Sequence, residues 1–462
     1  MTILSTDLVF FEALTQNDES YGGGAMSANV VQDGVSANVF PLIGEADANI
    51  GRVQLRKVYA AVLSANTDML INAGVHVYTP PDDALVDVLL FAWGNSATTR
   101  ATAGDALAQF PYAADPDPAN YGNVTGTGLT RNLVGSDGVL VVGDRILLGY
   151  VDPSFPSAVL TTQTLVYVAT VTAVSGDNVT FVVTGDSGTG GTINRWHKVL
   201  PSTVAPLCCG VATVATGVSA GADTLELNRI EGRVVPDISP YPSAPPGIAS
   251  SGLRLLGGVV PIFRIGDMVH VRNAAGTVSE VALVSRVDHL TGEVVFANPL
   301  ANAYASGSRV SALVRLGDLQ ALAGSSFSQQ TWTRVFSDAL IGNAIGANYN
   351  RTAADIVVTN EGAETERWAI VFTNATDFRL IGERFGQIAA GDIATDFLPL
   401  NPITNQPYFE IPSTGWGTGW QAGNVLRFNT VGARAPFWAM RSISPVPTES
   451  TDGAIFQFRG SF

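Results

Sequence analysis

At 462 residues with 46% hydrophobic side chains, the chain is long enough to bury several cores and too apolar to be disordered. A formal charge of -15 argues against a phosphate-binding groove, which needs an excess of lysine and arginine; an acidic wall that lets DNA slide past is the one nucleic-acid role left open. Charged residues make up only 14%, well under the usual share of about a quarter, so much of the surface is small, polar or apolar, as in a subunit whose neighbours replace solvent.

Taken in chain order, residues 1–115 read as an N-terminal assembly domain, α/β or β-rich. No basic stretch followed by an apolar run opens the chain, so no secretory signal is expected. Gly22-Gly23-Gly24 lacks the following Lys-Ser/Thr of a phosphate loop and reads as a tight loop or flexible arm. His76–Tyr78 forms a strand halted by Pro80-Pro81, and Val86–Trp93 is apolar enough to be a strand buried on both faces. Thr98–Phe110 is Ala-rich and is the best helix candidate in this half.

A Pro-, Asp- and Gly-rich linker, Pro111–Gly128, leads into a pattern that occurs twice. In the first copy, at 130–200, Gly143-Asp144 opens an apolar strand; Val168, Val171 and Val174 mark a second; Ser175-Gly176-Asp177-Asn178 turns; and Val179 climbs to Phe181. In the second, at 211–320, Gly266-Asp267 is followed by Val281, Val284 and Val287, a turn at Thr291-Gly292, and Phe296. Such spacing predicts two related β-modules whose segments 140–183 and 263–297 superpose. The second module carries a Pro-rich insertion, Pro236–Gly252, suited to an exposed, semi-rigid loop.

Val199–Ala222 is uncharged between Lys198 and Asp223, but Pro201, Pro206, Gly210, Gly217 and Gly221 break it, so no membrane span is expected. Cys208 and Cys209, the two cysteines, supply at most half a zinc site and read as small apolar residues in a strand of a protein folded in a reducing cytoplasm. From 327 to 462 aromatic residues increase. The alternation in Gln330–Phe336, Ile356–Val358, Trp368–Phe372, Val425–Phe428 and Ile455–Phe458 predicts a single antiparallel β-sandwich.

Candidate chemistry is sparse. Glu361, Glu364 and Glu366 are the carboxylates to weigh for a glycan hydrolase, yet their spacing fits a polar turn before a strand. His76, His197, His270 and His289 are scattered, without metal-ligand spacing, and no Gly-x-Ser-x-Gly elbow stands beside a suitable strand. No catalytic residue, metal or cofactor is expected. The sharpest local feature is Gly415-Trp416-Gly417-Thr418-Gly419-Trp420: Trp416 and Trp420 suit either a subunit interface or a glycan-stacking platform.

Glu366-Arg367-Trp368-Ala369, Phe372-Thr373-Asn374, Pro407-Tyr408-Phe409, Gly415-Trp416-Gly417 and Asn424-Val425-Leu426-Arg427-Phe428-Asn429-Thr430 together resemble a virion protein of the tail gene clusters of long-tailed, Mu-like bacteriophages and prophages. Gly22-Gly23-Gly24 and Leu55-Arg56-Lys57-Val58 are similar to the same group, so the resemblance covers both ends. It implies a place in the virion and carries no catalytic residues. The resulting expectation is a mainly β, multidomain chain: an N-terminal α/β or β-rich domain, two small duplicated β-barrel-like modules, and a C-terminal antiparallel β-sandwich. It implies a non-enzymatic tail or baseplate protein, assembled in the bacterial host cytoplasm, whose partners are copies of itself and other virion proteins. A host-receptor or glycan-binding tail protein is the alternative; a head-tail connector or tail-associated glycan hydrolase stands behind it.

Overall fold

The computed structural model describes residues 3–35, 37–103, 113–114, 129–132, 142–143, 145–150, 165–176, 178–184, 193–199, 208–234, 258–288, 292–324, 348–444, 446–447 and 453–461; the strands, cores and contacts below are those of these residues. The chain is mainly β. Its N-terminal part supplies β1 (Leu8–Thr15), β2 (Gly23–Val30), the short helix α1 (Glu45–Ile50), β3 (Arg52–Val62), β4 (Leu70–Thr79) and β5 (Val86–Phe91). The first module contributes β6 (Ala113–Ala114), β7 (Leu129–Asn132), β8 (Arg145–Tyr150), β9 (Leu165–Ser175), β10 (Asn178–Thr184) and β11 (Ile193–Val199). In the second come β12 (Val211–Thr213), β13 (Thr224–Glu226), β14 (Glu231–Val234), β15 (Gly258–Pro261), β16 (Met268–Arg272), β17 (Ser279–Asp288), β18 (Glu293–Phe296) and β19 (Arg309–Ala312). Then follow β20 (Val314–Leu319), β21 (Leu322–Ala323), β22 (Glu366–Phe372), β23 (Asp377–Gly382), β24 (Gly386–Asp392), β25 (Val425–Val431), β26 (Arg434–Ile443) and β27 (Ile455–Ser461).

The two modules have one topology. Their sheets run β6-β11-β8-β9-β10-β7 and β12-β19-β16-β17-β18-β13, with the β14-β15 hairpin added in the second. Register agrees residue by residue. Val171 lies opposite Phe181 and Val284 opposite Phe296, all four buried. One residue later each long strand carries a bulge, at Thr172 and at Ser285. Each bulged hydroxyl donates across the hairpin, Thr172 Oγ1 to the Thr180 carbonyl at 3.2 Å and Ser285 Oγ to the Val295 carbonyl at 3.1 Å. An extra residue bends a strand and leaves its ladder groups unpaired, so the hydroxyl both fills the gap and pins the bend. Asp144, Asp177 and Thr291 of the sequence pattern lie outside the described residues.

Gly143 and Gly266 close the same turn: their N–H groups donate to Val171 O and Val284 O, each at 2.8 Å. Both have positive φ, 95° and 88°, which is where a side chain would strain the backbone. The Gly, Val and Phe positions matched along the sequence therefore take equivalent places in the two sheets.

The C-terminal region is an antiparallel sheet, β21-β25-β22-β23-β24 among the described residues. One face is covered by a layer of isolated bridges, Tyr349 to Trp416, Val357 to Glu410, Phe397 to Ile411 and Leu400 to Pro407. Between them lies an aromatic core that includes Trp368, Phe372, Phe378, Phe409 and Phe428. The sandwich expected over 327–462 thus ends at β25, a correction to its boundary. β26 crosses into the N-terminal sheet, ordered β2-β1-β3-β26-β5, and β27 joins β20-β4-β27. Period-two alternation identifies a strand such as Ile455–Phe458 without naming its neighbour, and Arg434–Ile443, which the sequence reading does not mark as a strand, falls inside the same span.

Other sequence readings are adjusted too. Ala113–Ala114, inside the expected linker, is a strand of the first module, pairing with Arg195 and Trp196. Of the expected helix at Thr98–Phe110, a helical turn is described at 100–103, and the rest lies outside the described residues, as do most of Pro111–Gly128, the Pro236–Gly252 insertion and Gln330–Phe336. Among the described residues no helix is long and apolar enough to cross a membrane.

Replacing Gly143 or Gly266 by alanine meets no neighbouring atom but demands a left-handed side-chain-bearing residue. Each substitution is expected to destabilise by about 1–2 kcal/mol in equilibrium unfolding with an unchanged denaturant slope.

Candidate functional site

The Trp416–Trp420 loop begins at a single 3-10 turn, Ser413–Gly415, and lies against Tyr349. Gly415 is required there by close approach: a Cβ would fall 2.4 Å from Tyr349 Cζ. The tyrosine in turn donates its hydroxyl to Pro412 O at 2.9 Å. Trp420 is 2% exposed and stacks on Phe372 with ring centroids 4.2 Å apart and planes 6° from parallel. Trp416 is half-buried and meets Tyr349, Phe372 and Trp420 edge-on at 4.8, 5.7 and 5.7 Å. Both indoles therefore pack on the chain's own sheet, and Trp420 has no free face for a sugar ring. Trp416 keeps the only open indole surface of this loop.

The three glutamates are held by arginines or by the backbone. Glu364 pairs with Arg434 at 2.7 Å, both side chains nearly buried. Burial lowers the Arg434 pKa while Glu364 raises it. Glu366 meets Arg384 at 3.3 Å and accepts the backbone N–H groups of Arg367 and Arg384 at 2.8 and 3.2 Å. Burial raises its carboxyl above the usual range, against the charge of Arg384. Glu361 acts through its main chain, its carbonyl accepting from Arg434 at 3.4 Å and its N–H donating to Ser64 O at 3.1 Å. The neighbouring Asn360, fully buried, donates to Ser64 Oγ and Asp68 O at 3.0 and 2.8 Å and accepts from Ala321 N at 2.7 Å. That amide ties the C-terminal region to the β3–β4 turn, and nothing in its Thr-Asn-Glu-Gly context distinguishes it from an ordinary turn residue.

The fold brings together two histidines that are far apart in sequence. His270 Nδ1 lies 3.0 Å from His76 Nε2, where β16 of the second module meets β4 of the N-terminal part. Around them Ser311 Oγ donates to Val77 O at 2.7 Å, Arg272 stacks on Tyr78 at 3.8 Å and donates to its carbonyl at 2.6 Å, and Asp87 takes both guanidinium arms of Arg229 at 2.9 and 3.0 Å. Two histidines do not make a metal centre, and among the described residues no group of three or more His, Cys, Asp or Glu is placed to hold an ion. The His197 side chain and His289 lie outside the described residues.

Cys208 and Cys209 are buried, with burial pushing each thiol up to about 12. Cys209 exchanges backbone hydrogen bonds of 2.7 and 2.8 Å with Leu90, so the pair seals the second module onto β5.

The two N-terminal stretches of the resemblance converge on Lys57. Its ammonium, fully buried, donates to the carbonyls of Gly24, Asn95 and Thr98 at 2.8, 2.6 and 3.0 Å and lies near the rings of Tyr59 and Trp438. Three carbonyls satisfy all three donors, so the lysine is a structural clamp between the turn at Asn95 to Thr98 and the glycines, of which Gly23 and Gly24 open β2 instead of forming the expected loop or arm. Burial nevertheless pushes its pKa down to about 7.

In comparisons with known proteins, no family model matches this chain and no curated protein is similar to it.

Both imidazoles at the seam are held neutral, chiefly by burial: His270 is pushed down to about 3 and His76 well below its usual value. Arg272 and Arg459 oppose a proton on either ring, and Tyr78 is the other titratable group beside His76. In the unfolded chain both titrate near 6.5. The neutral pair therefore contributes stability that is fully present above about 6.5 and is lost as pH falls from there toward about 3. The expected result is a urea midpoint that drops on acidification from neutral pH, with a shallower drop in a His76→Asn/His270→Asn variant. For the aromatic loop, Trp420→Ala should lower stability by about 3–5 kcal/mol, and Trp416→Ala by less, measured by denaturant unfolding.

Proposed function

We propose that this chain is a structural protein of a bacteriophage particle, a tail or baseplate subunit that works by packing against neighbours. The observation that carries the reading is the duplication: one small β-unit used twice, with the same bulge, the same glycine turn and the same buried Val–Phe pair. Repeated packing units of this kind serve assembly, where binding surface is multiplied without new chemistry. Two further observations support it. The polar groups singled out for chemistry are engaged within the chain: Glu364 with Arg434, Glu366 with Arg384, and His76 with His270. The residues of the virion-protein resemblance also form one frame, in which Trp368 Nε1 donates to Thr430 Oγ1 at 2.7 Å and Thr430 Oγ1 donates to Glu364 O.

In this reading the protein does its work in the virion, among copies of itself and other tail proteins, after assembly in the host cytoplasm. The glycan-binding alternative rests on the half-buried Trp416 alone. Mass spectrometry of purified particles from the phage or prophage that encodes the chain provides the test. The chain is expected in intact particles at a fixed stoichiometry; its presence in the lysate but not in particles would overturn the reading. Particles carrying Trp416→Ala should adsorb to host cells normally, whereas normal assembly with lost adsorption would favour the glycan reading.

A further inference from the structure

A cavity of about 710 Å³ opens between the start of β1, the connection from Val31 to Leu42, and β27. Phe10, Phe40, Phe456 and Phe458 line it, and Val35, Leu42 and Ile455 on its lining are 55%, 54% and 55% exposed. An open strand border lies at this place. β27 is an edge strand: β4 holds one side of it, and among the described residues no strand holds the other. β1 pairs with β3 from Leu8 onward, and on its other side the pairing runs past the end of β2 to Val31, whose N–H donates to Phe10 O at 2.9 Å, so just Leu8 and Val9 of β1 extend beyond it.

The charge on the lining narrows the occupant. Its ionisable groups among the described residues are Asp33, exposed on the outer connection, and Arg441. Arg441 is already spent: it donates to Gln54 Oε1 at 2.9 and 2.6 Å and to Pro41 O, and lies over the Phe40 ring at 4.9 Å. A charged ligand group would find no partner at the floor. A strand edge offers main-chain donors and acceptors at every second residue, and the aromatic floor offers apolar contact between them.

We propose that this slot takes up an extended peptide strand, uncharged and apolar at alternate positions, which adds to the free edge of β27. The strand belongs to a neighbouring protein of the particle, and in naming that source the inference rests on the assembly reading above. Strand addition itself is tested in solution, apart from any particle, so either idea can fail alone.

The probe is a library of end-blocked heptapeptides alternating Thr, Ser or Asn with Val, Leu or Ile, offered to the full chain. Binding should slow amide exchange in segment 453–458. The same library N-methylated at alternate residues, which keeps the side chains and removes the ladder donors, should bind at least about tenfold more weakly. Ile455→Lys should weaken binding by a similar factor with an unchanged melting temperature, since the side chain is exposed; Val35→Lys provides the second variant if that melting temperature moves. Equal binding of the N-methylated library, no loss in the lysine variants, or no binding up to about 1 mM peptide would each overturn the proposal.

Discussion

The structure depends on one late pairing. β26 inserts between β3 and β5, in register from Arg434 opposite Ala61 to Ile443 opposite Arg52, and from Trp438 opposite Phe91 to Ile443 opposite Val86. Without it β3 and β5 have no common neighbour, and Phe437, Trp438 and Met440 leave the core. Phe437 packs edge-on against Phe10 at 5.6 Å and Trp438 stacks parallel to Phe91 at 6.5 Å, so this strand brings apolar mass from the far end of the chain. Closing so large a loop is entropically unfavourable until the contacts form, which makes such a core slow to assemble. Both modules and the C-terminal sheet are thus insertions carried between two parts of one sheet.

The second module is joined to that sheet more deeply than a tethered domain. Val269, Val271, Val294 and Phe296 from the module belong to the same apolar cluster as Val53, Val75 and Leu89 of the N-terminal part. Apolar burial of this kind supplies most of the attraction. The polar seam of His76 with His270, Tyr78 with Arg272 and Asp87 with Arg229 has a different role. Buried ion pairs roughly offset their own desolvation, so they add little net stability, but a misplaced module would leave them and the neutral imidazoles unpaired. They select one docking position from among the many that apolar contact alone would permit.

How much of this was legible in the sequence follows from the range of each interaction. The duplicated modules were readable in the sequence, with Val168, Val171 and Val174 matching Val281, Val284 and Val287 at the same spacing, because a hairpin is local and its turn, bulge and buried pair recur at fixed separations. β5 was readable because its run, apolar apart from Asp87, fits burial on both faces. Partners across long separations were not. The pairing of β26 with β3, the meeting of His76 with His270, and the Asn360 hub all depend on tertiary closure, and none leaves a periodic mark. The aromatic loop lies between these cases. The glycine-spaced Trp416 and Trp420 stood out in the sequence, but the tight path at Gly415 and the surface the indoles cover are set by Phe372 and Tyr349, elsewhere in the chain.

The duplication shows how one unit meets two sets of demands. Facing inward, both copies keep the same residues where the bulged hairpin closes, since a buried valine opposite a buried phenylalanine tolerates little change in volume. Aligned on Gly143 and Gly266, the register positions of His270 and Arg272 in β16 fall on Leu147 and Gly149 in β8, and the position of Arg309 falls on Arg195. Those alternate positions are where the second copy meets β4. A small barrel fixes its interior by packing and leaves its outer face to be set by whatever it docks against. Divergence on that face, with the hairpin geometry retained, is what a packing unit shows once one of its copies has been built into a larger core.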